Sequence, residues 1–405
     1  MRVFLFDLLP YGKHMDHVAQ NGRLPWPFAP HIDSEIQRRT YAEHLDAWEE
    51  VERVGFDGIA FNEHHGTPYG LMTSPNLLAA AISQRTKKAK ILILGNLLPI
   101  HDPLRLAEEI AMLDNLTGGR IICGVARGIP REYKYFNIPL NESRARFNEA
   151  YEIMKMAWTQ DRFSYEGQFH SYNDISILPR PVQKPHPPVW VPIAASKDSI
   201  EWAAANDVPI TPGSGMGTMN DTAREDIIIH YAKCLKARGL RMTPDHLSIQ
   251  INCYVADSKA QAVEECGPYF RYLFNYLFPY DQGDFSKLAN SGYNSADARG
   301  HLRAQLAPPP QAANAPPPRA FGGLDQAAIA AMAENMPWGT PDQVAAGIIR
   351  EVEATGAGTV LLMCNVGAMP QEMFLKQIRR LGEEVLPRLK AHKVKYVPAA
   401  EALAH

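Results

Sequence analysis

Residues 90–128 read KILILGNLLPIHDPLRLAEEIAMLDNLTGGRIICGVARG, and they contain one full period of the pattern that runs along this chain. Two apolar runs, Lys90–Leu98 and Arg120–Arg127, flank a segment with helical periodicity, Pro103–Leu116. A proline opens that segment, as is common in the first turn of a helix. A strand, a helix and a second strand in this order predict a βα unit of a parallel sheet.

The same alternation recurs along the whole chain. The helical stretch Ser34–Val54 begins with a Ser/Asp capping signal and ends before Gly55, and Thr340–Thr355 ends before Gly356. The eight strand candidates are Val3–Leu9, Phe56–Asn62, Lys90–Leu98, Arg120–Arg127, Val189–Ala194, Val208–Thr211, Leu247–Ala256 and Thr359–Asn365. Eight strands that alternate with helices predict an α/β fold, a (β/α)8 TIM barrel.

The length indicates long insertions in that barrel. A (β/α)8 barrel needs about 250 residues, whereas this chain has 405. We expect the largest insertions after strands 1 and 7, at residues 9–33 and 258–336. The prediction is a single domain over residues 1–390, followed by a C-terminal tail over residues 391–405.

Composition excludes several classes of protein. With 41 Lys and Arg against 44 Asp and Glu, the net charge of −3 gives no surplus to bind nucleic acid or an anionic membrane. The N-terminus MRVFLFDLLP lacks the basic leader and long apolar run of a signal peptide, and no apolar run is long enough to span a bilayer. The five cysteines form no CxxC pair, so we expect a cytoplasmic protein without a metal site.

The second strand ends in FDGIAFNEHHG, where one histidine is a candidate for catalysis. Alternation places Ile59, Phe61 and Glu63 on the face toward the helices, and the small and polar residues, including His64, toward the barrel interior. Because active sites of such barrels lie at the C-terminal ends of the strands, His64 is a candidate proton donor or acceptor. The adjacent His65 could suggest a metal site, but no HExxH or other ligand spacing accompanies the pair.

Basic and hydroxyl side chains follow the next strands, where an anion could bind. Arg127 ends the fourth strand before Gly128, and Arg144 follows at the start of the next long helix. Ser196 and Ser199 stand at a helix N-terminus after the fifth strand, where free N–H groups favour an anion. A salt bridge or a helix cap would explain either feature alone. Together they favour a phosphate-bearing cofactor.

Three other segments remain open to more than one interpretation. The loop after the first strand carries His14, His17, Trp26 and His31, and residues 269–280, YFRYLFNYLFPY, form either a lid helix or ordinary core. Residues 307–318, APPPQAANAPPP, have the composition of an extended connector. The seventh strand shows a polar face that suits a polar ring, made of Ser248, Gln250, Asn252 and Tyr254.

Four blocks of sequence carry a resemblance to a known family. They are NEHHG at 62–66, LGNLLPIHDPLRLAEEIAMLDNLTGGRIICGVARG at 94–128, ESRARF at 142–147 and WGTPDQVAAGIIREVEATG at 338–356. In this order the blocks resemble the bacterial luciferase-like flavin-dependent monooxygenases. The resemblance implies a TIM barrel that binds reduced FMN, reacts with O2 through a C4a-(hydro)peroxyflavin and oxygenates a small organic substrate. The aromatic segment at 269–280 suggests that the substrate is hydrophobic or aromatic.

The resemblance also implies a role for individual residues. His64 matches the first histidine of the family's EHH motif, which is associated with catalysis beside the flavin. Arg127 matches the arginine near the flavin phosphate, and Arg144, Ser196 and Ser199 match positions that complete the phosphate site. It further implies a homodimer and a separate NAD(P)H:flavin reductase.

Three further positions follow from the same comparison. Gly95 and Asn96 lie where relatives have a non-prolyl cis peptide against the flavin ring, so we expect a cis bond within Leu94–Asn96. Ala126 stands where the luciferase α chain has a reactive cysteine, and Ala195, counted with the flavin-binding positions, stands where it has an acid. These departures argue against the light-emitting reaction and leave the general flavin chemistry in place.

Two alternatives to this function stay open at the level of sequence. One is an F420-dependent dehydrogenase of the same superfamily, which moves a hydride and uses no oxygen. The other is a flavin-binding protein without turnover. The absence of GxGxxG, Walker A and GxSxG patterns disfavours Rossmann, P-loop and α/β-hydrolase enzymes.

Overall fold

The computed structural model describes residues 1–25, 27–194, 196–213, 221–278, 280 and 323–394. At its centre are eight parallel strands: β1 (Arg2–Asp7), β2 (Gly58–Phe61), β3 (Lys90–Leu97), β4 (Ile121–Ala126), β5 (Val189–Ile193), β6 (Ile210–Pro212), β7 (Ser248–Asn252) and β8 (Thr359–Met363). They pair in the order β6-β5-β4-β3-β2-β1-β8-β7, and a parallel bridge between Ile210 and Leu247 joins the two ends. The predicted (β/α)8 barrel is confirmed.

Helices connect and surround the strands. They are α1 (Met15–Asn21), α2 (Ser34–Arg53), α3 (Pro75–Arg85), α4 (Pro103–Thr117), α5 (Pro130–Tyr135), α6 (Ser143–Thr159), α7 (Lys197–Ala205), α8 (Asp221–Ala237), α9 (Lys259–Tyr272), α10 (Gln326–Ala333), α11 (Pro341–Thr355), α12 (Gln371–Arg380) and α13 (Leu386–Ala391). Local capping explains where the predicted ones begin. The Asp33 carboxylate accepts hydrogen bonds from the first turn of α2, and the Asp102 carboxylate does so for α4.

Alternation along each strand separates two apolar layers. On β2, Ile59 and Phe61 point outward, where Phe61 stacks on Trp48 of α2 with a centroid distance of 5.0 Å. Ala60 points inward and joins the cluster that fills the barrel, together with residues such as Phe4 and Leu92. The face assignment made from the sequence of β2 is therefore confirmed for these residues.

The seventh strand is shorter than the sequence predicts. It ends at Asn252 rather than Ala256, because the chain then leaves β8 for another partner. The N–H of Tyr254 donates to the carbonyl of Pro337 at 3.1 Å, and Tyr254–Val255 pairs in parallel with Trp338–Gly339 as a separate sheet. An apolar run alone could not reveal this change of partner, since the two segments are far apart in sequence.

A β-hairpin that the sequence reading did not predict lies between α6 and β5. It consists of Phe163–Glu166 and Ser171–Ile175, which pair with each other and with no other strand of the described residues. The carboxylate of Glu149 on α6 accepts hydrogen bonds from the backbone N–H groups of Gln168, Phe169 and His170. This carboxylate holds the turn of the hairpin against the helix.

The two segments expected as insertions contain regular structure in their described parts. Residues 9–33 include α1, and residues 258–336 include α9, a π-helical turn at Leu273–Leu277 and α10. Three side chains of the aromatic segment, Phe270, Phe274 and Leu277, are buried in the same cluster as the residues inside the barrel. Trp26, residues 307–318 and the end of the tail lie outside the described residues, and the single-domain organisation remains a prediction.

Within the described ranges, no helix has both the length and the apolar character needed to cross a membrane.

Candidate active site

His64 lies just after β2 at the C-terminal end of the barrel. Its Nδ1 atom is 3.1 Å from Oε1 of Glu132, and its ring packs edge-on against Tyr69 with a centroid distance of 5.0 Å. The side chain keeps 19% of its surface exposed, whereas that of Glu132 is fully buried. The ring is thus fixed on one edge by a buried carboxylate, and the His64 side chain remains partly exposed.

Glu132 belongs to the short helix α5, which follows β4. Its Oε2 atom accepts a hydrogen bond from the backbone N–H of Ile129 at 2.5 Å, which closes a capping interaction at the start of the helix. The guanidinium of Arg131 lies 4.0 Å from Oε1 and donates to the carbonyl of Tyr280 at 2.9 Å. A buried carboxylate needs such partners, because removing its charge from water is costly.

Glu63, the residue before His64, faces the other side of the chain and connects three groups. Its carboxylate binds Nε2 of His65 at 2.8 Å and Nε2 of His101 at 2.9 Å, and it accepts the backbone N–H of Leu97 at 3.0 Å. Burial alone would raise the pKa of Glu63, but the hydrogen bonds from His101 and His65 outweigh it and lower that pKa to about 2. Glu63 is therefore an anion that anchors the end of β3.

The end of β3 contains a non-prolyl cis peptide bond between Leu94 and Gly95, as predicted. The backbone of β4 approaches closely here: a Cβ atom at Gly95 would lie 2.7 Å from the carbonyl carbon of Gly124. The buried side chain of Asn96 donates to the carbonyl of Gly124 at 3.2 Å. Only glycine fits at position 95 without a shift of the backbone, because any side chain there would collide with the backbone of β4.

The basic and hydroxyl residues predicted for a phosphate lie together at the ends of β4 and β5. Arg127 donates to Oγ of Ser143 at 3.4 Å, and the next residue, Arg144, donates to Oγ of Ser199 at 2.6 Å. Ser196 caps the start of α7, and its buried hydroxyl has no hydrogen-bond partner among the described residues. Ala195, predicted beside it, lies outside those residues.

These side chains have the chemistry of a site for a phosphate monoester. Two guanidinium groups, three hydroxyls and the N-terminus of a nine-residue helix converge there. Because β2, β3, β4 and β5 are neighbours in the barrel, this cluster shares one rim with the cis peptide and with His64. The residues present therefore fit a cofactor that carries a phosphate monoester.

Other sequence candidates lie elsewhere or make internal contacts. His65 is bound to Glu63, and His14 packs among His17, His31 and Phe28 in the first loop. The hydroxyl of Ser248 on the polar face of β7 hydrogen bonds to that of Thr211 inside the barrel, at 2.6 Å. Across the ranges that the structure describes, no three His, Cys, Asp or Glu side chains are grouped so as to hold a metal ion.

Comparison with known proteins gives the family. Residues 23–359 match the family model of the luciferase-like monooxygenases. The chain belongs to this family. An uncharacterized protein of Sinorhizobium fredii is 33% identical over 288 residues, which cover 69% of this chain and 78% of that protein. The oxygenase component of flavin-dependent trigonelline monooxygenase from Acinetobacter baylyi is 28% identical over 236 residues, which cover 57% of this chain and 63% of that protein.

Solved structures of other proteins share the fold of this chain. The FMN complex of the oxygenating constituent of 3,6-diketocamphane monooxygenase from Pseudomonas putida has a TM-score of 0.69 and 18% identity, covering 96% of this chain and 98% of that chain. An F420-dependent secondary alcohol dehydrogenase has a TM-score of 0.59 and 16% identity, covering 96% and 98%. At such identities the likeness concerns the fold.

Several residues of this site were missed by sequence reasoning. Glu132 contacts His64 and Ser143 contacts Arg127, yet neither was a candidate. Glu63 and its partner His101, which support the end of β3, were not candidates either. The sequence did contain one signal for Glu132, since it stands three residues after Ile129 in the pattern of a helix start. That pattern predicts a cap, and nothing in it indicates the contact with His64, 68 residues away.

Proposed function

We propose that this luciferase-like monooxygenase uses reduced FMN and O2 to transfer one oxygen atom to a small, hydrophobic or aromatic organic substrate. The observation that carries the proposal is the pair of arginine–serine contacts, Arg127 with Ser143 and Arg144 with Ser199, on the same rim as the cis peptide at Gly95. A terminal phosphate and a flat ring are the two features of FMN that such a rim would recognise.

Different residues of the rim would bind the phosphate and the ring of FMN. Arg127 and Arg144 would hold the phosphate by charge-assisted hydrogen bonds, and Ser196 and Ser199 would add hydroxyl contacts at the start of α7. The backbone around Gly95 would lie beside the ring, because β3 ends on the same rim as the phosphate cluster. Reduced FMN, when bound, supplies the electrons that reduce dioxygen.

His64 would transfer protons beside the ring, and nearby aromatic side chains would keep water out. The His64 ring, anchored by Glu132, would accept or donate a proton at the reacting oxygen. Tyr69 packs against Phe278 at a centroid distance of 5.5 Å, and Phe28 against Tyr280 at 5.7 Å. These rings would exclude water from the mouth, which protects reactive oxygen species from solvent, and they favour an apolar substrate.

A separate enzyme would supply the reduced flavin. The chain has no nicotinamide-binding fingerprint in its sequence, and the relative from Acinetobacter baylyi is named as an oxygenase component. We therefore propose an NAD(P)H:flavin reductase as partner, with a homodimer in the reducing cytoplasm as the working form.

The decisive experiment is an anaerobic titration with reduced FMN, followed by rapid mixing with oxygenated buffer. We expect stoichiometric binding, and a reoxidation of the bound flavin that is slower than that of free reduced FMN and that changes when a substrate is present. Reduced FMN that does not bind, or that reoxidises as it does in free solution, would contradict the proposal. F420 would then be titrated, and its bleaching by an alcohol would identify a dehydrogenase.

A further inference from the structure

The contact between Glu132 and His64 defines where the hydrogen atoms of the histidine lie. Both oxygens of the fully buried carboxylate are engaged: Oε2 accepts the N–H of Ile129, and Oε1 faces Nδ1 of His64 at 3.1 Å. The guanidinium of Arg131, 4.0 Å from Oε1, offsets the charge of the carboxylate. A carboxylate can only accept hydrogen bonds, so Nδ1 of His64 must be the donor.

This assignment determines the chemistry of the other ring nitrogen. When Nδ1 carries the proton of a neutral imidazole, Nε2 carries the lone pair. Nε2 makes no hydrogen bond to any residue within the described ranges, and the His64 side chain retains 19% exposure. The lone pair is therefore available to a molecule in the barrel mouth.

We propose that Glu132 is a positioning residue that holds His64 in the Nδ1–H tautomer and thereby makes Nε2 the proton acceptor of the site. The use of this base in turnover rests on the proposed function. In the proton transfer, a protonated oxygen of the reacting substrate gives its proton to Nε2, and the O–H bond breaks as the N–H bond forms. Glu132 stabilises the resulting imidazolium, which later returns the proton.

Glu132→Gln tests the assignment with a defined outcome. The N–H of Ile129 requires an acceptor, so the carboxamide oxygen of glutamine would take the place of Oε2. Its NH2 group would then face Nδ1 of His64, and the ring would adopt the Nε2–H tautomer, with its lone pair directed away from the pocket. We expect turnover to fall about 100-fold or more, whereas the affinity for reduced FMN stays within about threefold because the phosphate residues are untouched.

The tautomer is read directly by NMR of protein labelled with 15N-histidine, without cofactor, at about pH 9, where an ordinary imidazole is neutral. His64→Ala identifies the signals of His64. We expect a protonated Nδ1 in the wild-type protein and an unprotonated Nδ1 in Glu132→Gln. A wild-type Nδ1 without a proton would overturn the proposal, and this measurement needs no variant to fold other than the one used for assignment.

Glu149→Gln is the matched control, because Glu149 contacts Nδ1 of His170 at the same distance of 3.1 Å, next to the hairpin. We expect it to leave the His64 signals and turnover unchanged. A Glu132→Gln variant with a reversed tautomer but full turnover would overturn the positioning role. A reversed tautomer in a protein that does not bind reduced FMN would contradict the proposed function and still support the assignment of Glu132.

Discussion

Glu63 and His64 are neighbours just after β2, and their side chains point to opposite sides of the chain. The acidic one contacts imidazole groups, and the basic one contacts a carboxylate. His64 contacts the carboxylate of Glu132, and Glu63 contacts the imidazoles of His65 and His101. The His64–Glu132 contact lies at the C-terminal end of the barrel, whereas the group of Glu63, His65 and His101 lies beside the end of β3. One dipeptide thus serves both the chemistry and the support of the candidate site.

The contacts of Glu63 with His65 and His101 make the stability of the folded protein fall at low pH. The pKa of Glu63 falls from its ordinary value of 4.5 to about 2 in the folded protein, a difference worth about 3 kcal/mol. Because the folded pKa is the lower one, this stabilisation is complete above about pH 4.5 and is lost as the pH falls toward 2. Burial would lower the pKa of His101, but the contact with Glu63 outweighs it and raises that pKa above its ordinary value of 6.5. The contribution of His101 to the stability of the folded protein is therefore complete below about pH 6.5 and declines as the pH rises further.

Glu63→Gln should therefore destabilise the protein most between about pH 4.5 and 6.5. We expect the difference in the free energy of unfolding from wild type to shrink as the pH is lowered toward 3, measured by urea denaturation at several pH values. Glu35→Gln, a change of an exposed glutamate on α2, should show no comparable difference. A constant difference across this pH range for Glu63→Gln would contradict the assignment.

Contacts of single residues could be predicted from the sequence only where the residues are close to each other along the chain. Alternation placed His64 toward the barrel interior, and order along the chain placed Arg127 and Ser199 at strand ends, because both are local patterns. Glu132 is 68 residues from His64, and the turn that brings them together follows a different strand. Only the closed barrel makes neighbours of these residues.

At the scale of elements, local capping signals were reliable guides. The helix α11 begins with a capping box in which Oγ1 of Thr340 accepts the N–H of Gln343 at 3.3 Å, and Oε1 of Gln343 accepts the N–H of Thr340 at 3.0 Å. The two residues are only three positions apart in the sequence. The hairpin at Phe163–Ile175 escaped prediction because its turn is held by Glu149 on another element.

Thr340→Ala should remove half of this capping box. We expect a loss of about 1 kcal/mol in the free energy of unfolding, because a backbone N–H of the first turn loses its acceptor. Thr340→Ser keeps the hydroxyl and should restore most of that loss. Urea denaturation of the three proteins measures the effect, and equal stability of the alanine and wild-type proteins would show that the box contributes nothing.

At the scale of the whole molecule, barrel closure places the ends of four neighbouring strands on one rim. β2 supplies His64, β3 the cis peptide, and β4 and β5 lead to the arginines and serines of the phosphate cluster. No single element contains a cofactor site. Any ligand that contacts the whole rim must bind the folded barrel in preference to the unfolded chain, and it must therefore raise the stability of the protein.

The phosphate of FMN should account for much of that stabilisation. Charge-assisted hydrogen bonds contribute about 1.5–3 kcal/mol each, so reduced riboflavin, which lacks the phosphate, should bind at least about 100-fold more weakly than reduced FMN. At a concentration 100 times the dissociation constant, FMN would stabilise the protein by about 2.7 kcal/mol. Riboflavin at the same concentration would contribute about 0.4 kcal/mol.

Anaerobic thermal unfolding in the presence of each reduced flavin measures this difference. We expect FMN to raise the melting temperature of the wild-type protein by about 3 °C more than riboflavin does, because the unfolding entropy of a chain of 405 residues is large. In Arg144→Ala, which loses the guanidinium bound to Ser199, that advantage should be largely lost, while Arg38→Ala on the surface of α2 should retain it. Equal shifts by the two flavins in the wild-type protein would mean that the arginines and serines at the ends of β4 and β5 do not bind the phosphate.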